Sequence, residues 1–268
     1  FGLFSLAVWY VIENNKNFLR DFFIILFSIY LFALACGYFQ YFNDANPFGI
    51  VSPYESRLTL PLNDKMVLGS YLVRLFPIML ALAMLVLPEN KYITPLIALM
   101  LLFTDILIFL SGERTALGLN LLSIILFIFL LSKFKMLRAI TLIFSVIFMI
   151  LISSVDNEVK KRNIDQTITQ MNLNSEGKII PFSATHERLY KAAWKMFLDK
   201  PIFGLGTNLF RQNCDKSKYS EGPSCSTHPH NTYLQLLAET GIIGFLFILA
   251  VVLLISLTFI KHFIFIFK

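Results

Sequence analysis

Hydrophobic residues run along this chain in long blocks with short polar breaks, and the block lengths set the first expectation. A stretch of roughly 20 apolar residues crosses a bilayer as a helix, because lipid offers the backbone no hydrogen-bond partner. Such blocks occupy Phe22–Phe39, Val67–Leu87, Tyr92–Leu110, Ala116–Leu131, Leu137–Ser153 and Ile242–Ile260. Phe1–Ile12 reads as the end of another, so the sequence is expected to be a piece of a longer polytopic protein, with about seven transmembrane helices present. The pattern changes character only between Ser154 and Gly241. There Ala184–Leu198 sets Leu189, Ala192, Ala193, Met196 and Phe197 on one helical face, with His186, Glu187, Lys191 and Lys195 off it. That spacing predicts an amphipathic helix. Pro201, Gly204 and Gly206 then predict a turn, and Tyr233–Glu239 a second helix that runs through Gly241 into the last span. The expected architecture is all-α: transmembrane helices with short loops over 1–153, a long loop with amphipathic helices over 154–241, and a C-terminal transmembrane helix over 242–268.

Composition sharpens this picture. Of 268 residues 56% are hydrophobic and 15% charged, and Phe occurs 28 times. A soluble domain carries about a quarter charged residues, so an ordinary soluble enzyme is excluded. The net charge of +6 is concentrated where it can orient the chain. Lys16 and Arg20, then Lys91, then Lys133, Lys135 and Arg138, then Lys261 and His262 fall on one side if the spans alternate. By the positive-inside rule that side is cytoplasmic, and the excess charge reads as loops against anionic headgroups, with no nucleic acid partner. The opposite face receives Gln40–Lys65, the turn Ser111–Thr115 and the long loop.

Several residues are out of place in such a chain. An ionisable side chain inside a span is costly unless paired or wetted, which makes each one a functional candidate. Arg74 and Asp105 are both expected on the order of 12 Å below the outer surface. They read either as a structural pair or, with Arg114 at the rim, as part of a polar cavity open to the outside. The densest polar cluster, Cys225-Ser226-Thr227-His228-Pro229-His230-Asn231-Thr232, precedes the final span. A neutral imidazole there could accept a proton from a hydroxyl nucleophile; a surface His at a helix start is the plainer alternative. Cys36 reads as a buried, inert thiol. Cys214 and Cys225 admit a disulfide, since the outside of a bacterial inner membrane is oxidising, or a Cys₂His₂ zinc set with His228 and His230. One residue between imidazoles and ten between thiols fit no usual finger, so the disulfide is the expectation and no metal site is expected.

His230-Asn231, nine residues, then Gly241-Ile242-Ile243-Gly244 resembles the His-Asn/Ser/Gln-x₉-Gly-x-x-Gly signature of the O-antigen ligase and Wzy-type polymerase superfamily. Ser111-Gly112-Glu113-Arg114-Thr115-Ala116 resembles that family's outer-face Ser-x-x-Arg turn. Arg188, Trp194 and Asp199-Lys200-Pro201-Ile202-Phe203-Gly204-Leu205-Gly206 resemble its Arg, Trp, Asp-x-Pro-x-x-Gly-x-Gly pattern. The three motifs stand in the family's order, although members usually carry about a dozen spans.

The resemblance implies a metal-independent glycosyltransferase of the bacterial inner membrane with its active site facing the periplasm. Such enzymes need no cofactor, take a glycan from an undecaprenyl-diphosphate-linked donor and join it to an acceptor hydroxyl on a glycan, lipid A–core or protein. His230 would be the catalytic base, with Arg114 and Arg188 stabilising the departing diphosphate. Arg74, Asn231 and Glu113 are expected substrate contacts, though no motif supports Arg74. A ligase, an O-antigen polymerase and a protein O-oligosaccharyltransferase are all compatible with these motifs. The alternative of another class is a transporter or flippase of an anionic lipid or solute. Against it, no pair of Gly/Pro-broken helices recurs in corresponding halves.

Overall fold

The computed structural model of the chain describes residues 2–54, 57–87, 93–130, 134–170, 184–220, 222 and 225–266. Among these there is no β-strand, only an isolated bridge between Ala45 and Val51. The apolar blocks fold into α1 (Gly2–Asn14), α2 (Phe18–Asn43), α3 (Leu68–Val86), α4 (Ile93–Leu110), α5 (Arg114–Leu130) and α6 (Lys135–Val155). A short α7 (Asn157–Lys160), a π-helical turn (Lys161–Asp165) and α8 (Gln166–Gln170) follow. Then come α9 (Ala184–Asp199), α10 (Phe210–Asn213) and α11 (Thr232–Ile266). Among the described residues five helices are long and apolar enough to cross a membrane, namely α2, α3, α4, α6 and α11; α1 and α5 are apolar but shorter. The protein is an all-α, multi-pass membrane protein.

The chain divides into two compact units, residues 1–167 and 168–268. In the first unit α4 is the central helix, packed against α2, α3, α5 and α6, with Leu101, Leu107 and Ile108 essentially inaccessible. Close approach to α2 is possible because Gly37 has no side chain: a Cβ there would meet Leu107 Cδ2 and Leu68 Cδ2 at 2.8 Å. Polar side chains tie the same helices. The Tyr30 hydroxyl lies 2.9 Å from Thr104 Oγ1, and Tyr38 donates to the Phe103 carbonyl at 2.7 Å.

The charge buried in α4 is neutralised from an unexpected direction. Asp105 does not pair with Arg74. It accepts two bonds from Arg138 of α6, at 2.7 and 2.9 Å, one from Asn120 of α5 at 2.8 Å and one from Ser145 at 2.9 Å. Arg138 therefore belongs to the interior of the bundle, 3% exposed, and not to a cytoplasmic loop. Arg74 points outward from α3, and no hydrogen bond or ion pair holds it among the described residues. Asp105 thus lines no open cavity, because four donors from two neighbouring helices close around it.

In the second unit α9 packs against α11, burying Leu189, Ala192, Ala193 and Met196 with Phe210, Cys214, Tyr219 and Ala238. This is the apolar face that the 3.6-residue period marks. Beyond Gly241, where α11 kinks (φ 64°, ψ −167°), every side chain from Val251 to Ile260 is exposed. Only a bilayer or further protein accommodates such a surface.

Candidate active site

In the first unit the candidate residues lie at the turn between α4 and α5. Gly112 takes a positive φ of 67°, and Ser111 Oγ donates to the Ile108 carbonyl at 2.7 Å, which fixes the reversal. Glu113 then reaches across to the N-terminus of α3, which has no side-chain cap of its own. Its carboxylate accepts from Gly69 N at 2.7 Å, Ser70 N at 3.4 Å and Ser70 Oγ at 2.7 Å. Those amides are the orphan donors of a helix start, where the helix dipole favours an anion. Both oxygens are occupied, so Glu113, expected from the sequence as a substrate contact, serves the fold as a cap of α3. Its effect on Arg114 is positional: the next residue opens α5 half-buried, with Nη1 3.4 Å from Thr167 Oγ1.

The second unit carries Arg188 and His230. Two glycine-bearing motifs interlock there, backbone against backbone. Gly204 (φ 69°) lies so close to the main chain of Glu239 and Thr240 that a Cβ would collide with it, and Gly241 lies equally close to Ile202 and Phe203. The carbonyls of Pro201 and Ile202 accept from Ile242 N and Ile243 N at 2.8 and 3.4 Å, satisfying the helix that restarts after the kink. In return Leu205 N and Gly206 N donate to the carbonyls of Ala238 and Glu239, each at 2.9 Å. Asp199 holds the following segment through Lys218 Nζ at 2.5 Å and the Tyr219 hydroxyl at 2.7 Å. These two bonds keep its carboxyl below the usual range. The Asp, Pro and Gly residues of these motifs are thus structural: they shape the loop that the catalytic candidates stand on.

Cys214 and Cys225 form a disulfide, with Cα atoms 5.2 Å apart, so neither sulfur is a thiolate ligand for zinc. The bridge closes the loop that carries Gly222, and the guanidinium of Arg188 lies beside it: Nη1 is 3.6 Å from where a Gly222 Cβ would stand. Past the bridge, Pro229 is buried and His230 adopts a left-handed backbone, φ 56°. Asn231 explains the abrupt change that follows. Its Oδ1 accepts from Tyr233 N at 3.0 Å and Leu234 N at 3.1 Å, which makes it the N-cap of α11. That oxygen faces the helix, and the cap fixes the backbone immediately after His230.

The His230 ring stands among imidazoles. The His228 ring centroid is 4.3 Å away and that of His186, at the start of α9, is 5.3 Å away. Partial desolvation, and then the positive charge that His228 and His186 can carry, hold His230 below the usual imidazole range. The shift favours the neutral imidazole, the form that can accept a proton. The sequence placed His186 simply on the polar face of an amphipathic helix, and nothing in a separation of 44 residues signals its approach to His230.

A family model described as O-antigen ligase matches residues 96–263, more than half of the chain. The match takes in Arg114, Arg188 and His230 and leaves Arg74 outside. No curated protein and no solved structure matches the chain.

Proposed function

The chain belongs to the O-antigen ligase family of glycosyltransferases, and on that premise we propose that it transfers a glycan from undecaprenyl diphosphate to an acceptor hydroxyl at the periplasmic face of the inner membrane. In this reading His230 removes the proton of the acceptor hydroxyl as its oxygen bonds to the anomeric carbon. The bond from that carbon to the phosphate oxygen breaks, and undecaprenyl diphosphate leaves as an anion. The growing charge on the leaving group falls to the guanidinium groups of Arg188 and Arg114, a group that binds phosphate through two parallel N–H bonds. The reading calls on no metal ion. Lys16, Arg20, Lys91 and Lys135 favour a cytoplasmic location for the short loops, which assigns Ser154–Gly241 to the periplasm.

The observation that supports this most is the environment of His230, because a general base must be neutral to act. The pH dependence follows with a definite sign. A lowered pKa means the base stays unprotonated on the acid side, so kcat/KM should remain flat to below about 6.5 and fall only there. His228→Ala removes one source of positive charge from beside the ring. It should raise the pKa of His230 and move the acid limb to higher pH, with activity at alkaline pH little changed. An acid limb that stays in place in His228→Ala would show that a group other than His230 is titrating.

A further inference from the structure

Two arginines that no motif marks stand beside the Ser111–Arg114 turn. Arg57 comes from the segment between α2 and α3, held at its neighbour, where Leu58 N donates to the Ser111 carbonyl at 3.5 Å. Arg162 comes from the π-helical turn after α6, where Nε donates to the Gly112 carbonyl at 3.2 Å and Nη1 to Gln166 Oε1 at 2.7 Å. Both line a cavity of about 510 Å³ together with Lys161, Gln166, Tyr54 and Glu158. That size lies within the roughly 300–1,000 Å³ of small-molecule sites.

The charges in this cavity do not balance. Two guanidiniums and an ammonium face one carboxylate, Glu158, which lies 4.0 Å from Lys161 with both side chains more than half exposed. Among the described residues neither Arg57 nor Arg162 has an ion-pair partner, and the buried Nε of Arg57 has no hydrogen-bond acceptor. Arg57 Nη2 is anchored on the Met66 carbonyl at 2.8 Å, so the group is fixed in place while part of its fork stays unused. Burial first, then the positive charges of Arg57 and Arg114, depress the Arg162 guanidinium below its ordinary value. Gathering like charges and leaving a buried donor unsatisfied opposes folding unless an anion completes the site. Guanidinium groups, each offering two parallel donors, suit phosphate oxygens better than any other common anion except carboxylate. The cavity lies at the end of the bundle where α3 begins, α4 ends and α6 ends, at the polar margin of the spans. A headgroup carried by a lipid would arrive at that level.

We propose that Arg57 and Arg162, with Lys161, form a diphosphate-binding site that takes the headgroup of the lipid-linked donor. The existence of an anion site stands on the cavity alone, and the identity of its ligand rests on the glycosyl-transfer reading. The test uses the full-length protein in phosphatidylcholine nanodiscs, titrated with undecaprenyl diphosphate and separately with inorganic pyrophosphate. Arg57→Gln and Arg162→Gln should each weaken both ligands by about tenfold. Glu158→Gln should tighten both by about two- to threefold, a gain that misfolding cannot imitate. If none of the three variants shifts either affinity while the wild type still binds undecaprenyl diphosphate, the site is wrong and the glycosyl-transfer reading survives. If pyrophosphate binds through these arginines but undecaprenyl diphosphate does not, the donor assignment falls along with that reading. If phosphatidylglycerol in the disc displaces pyrophosphate and undecaprenyl diphosphate never does, the occupant is a phospholipid headgroup and the proposal is overturned.

Discussion

His230→Ala is expected to lower single-turnover glycan transfer by about 10²–10⁴-fold, the usual contribution of a general base, while donor affinity changes little. The asymmetry follows from the role assigned to the imidazole. In the proposed mechanism it touches the acceptor proton in the transition state, whereas the diphosphate would be held by guanidinium groups in the ground state as well. The left-handed backbone at this position (φ 56°) complicates an alanine, which costs roughly 1 kcal/mol there. His230→Asn removes that objection, because Asn enters the left-handed region readily, and it should be as inactive as the alanine variant. Transfer within tenfold of wild type in both variants would remove His230 from the chemistry. Arg188→Lys supplies the complementary result: the charge remains, the two-pronged geometry is lost, and rate and donor affinity should both suffer.

The second large effect concerns stability. Breaking the Asp105–Arg138 pair on one side, with Asp105→Leu or Arg138→Met alone, should destabilise the first unit by about 3–5 kcal/mol, because a charge is left in an apolar interior. Both groups are nearly inaccessible, 2–3% exposed at the side chain, so solvent does little to screen them. The double variant Asp105→Leu/Arg138→Met should recover much of that loss, since it removes both desolvation penalties together. The SDS mole fraction at half-unfolding in mixed micelles checks this. Single variants that unfold with the wild type, or a double variant that is as weak as the sum of its parts, would mean that the pair does not carry the stability assigned to it.

How far the sequence revealed this molecule depends on the range of the interaction. Local periodicity was sufficient for the long apolar helices and for α9, where Leu189, Ala192, Ala193 and Met196 are the residues that become buried. It did not show that the helix expected to run through Gly241 breaks there, at φ 64° and ψ −167°, and restarts. Asn231 stood before Thr232-Tyr233-Leu234 with an ordinary helix-cap pattern, so its structural task was open to view. Long-range pairings were not. Arg74 and Arg138 were both available to Asp105, 31 and 33 residues away in the chain (105 − 74 and 138 − 105), and only three-dimensional packing selects the second. Glu113 looked like a charge at the mouth of a site because the start of α3 that it caps lies 43 and 44 residues earlier. Arg57 and Arg162 carry no motif and belong to different segments, so a cavity between them leaves no trace in spacing.

Glycosyl transfer and lipid movement leave different products in a membrane. The direct measurement reconstitutes the full-length protein in liposomes with a labelled undecaprenyl-diphosphate-linked glycan and an acceptor glycolipid, then follows both label transfer and leaflet distribution. The label should appear on the acceptor, free undecaprenyl diphosphate should be released in equal amount, and both signals should be lost in His230→Asn. An intact donor redistributed between leaflets, at the same rate in wild type and His230→Asn and with no labelled acceptor, would contradict the glycosyl-transfer reading.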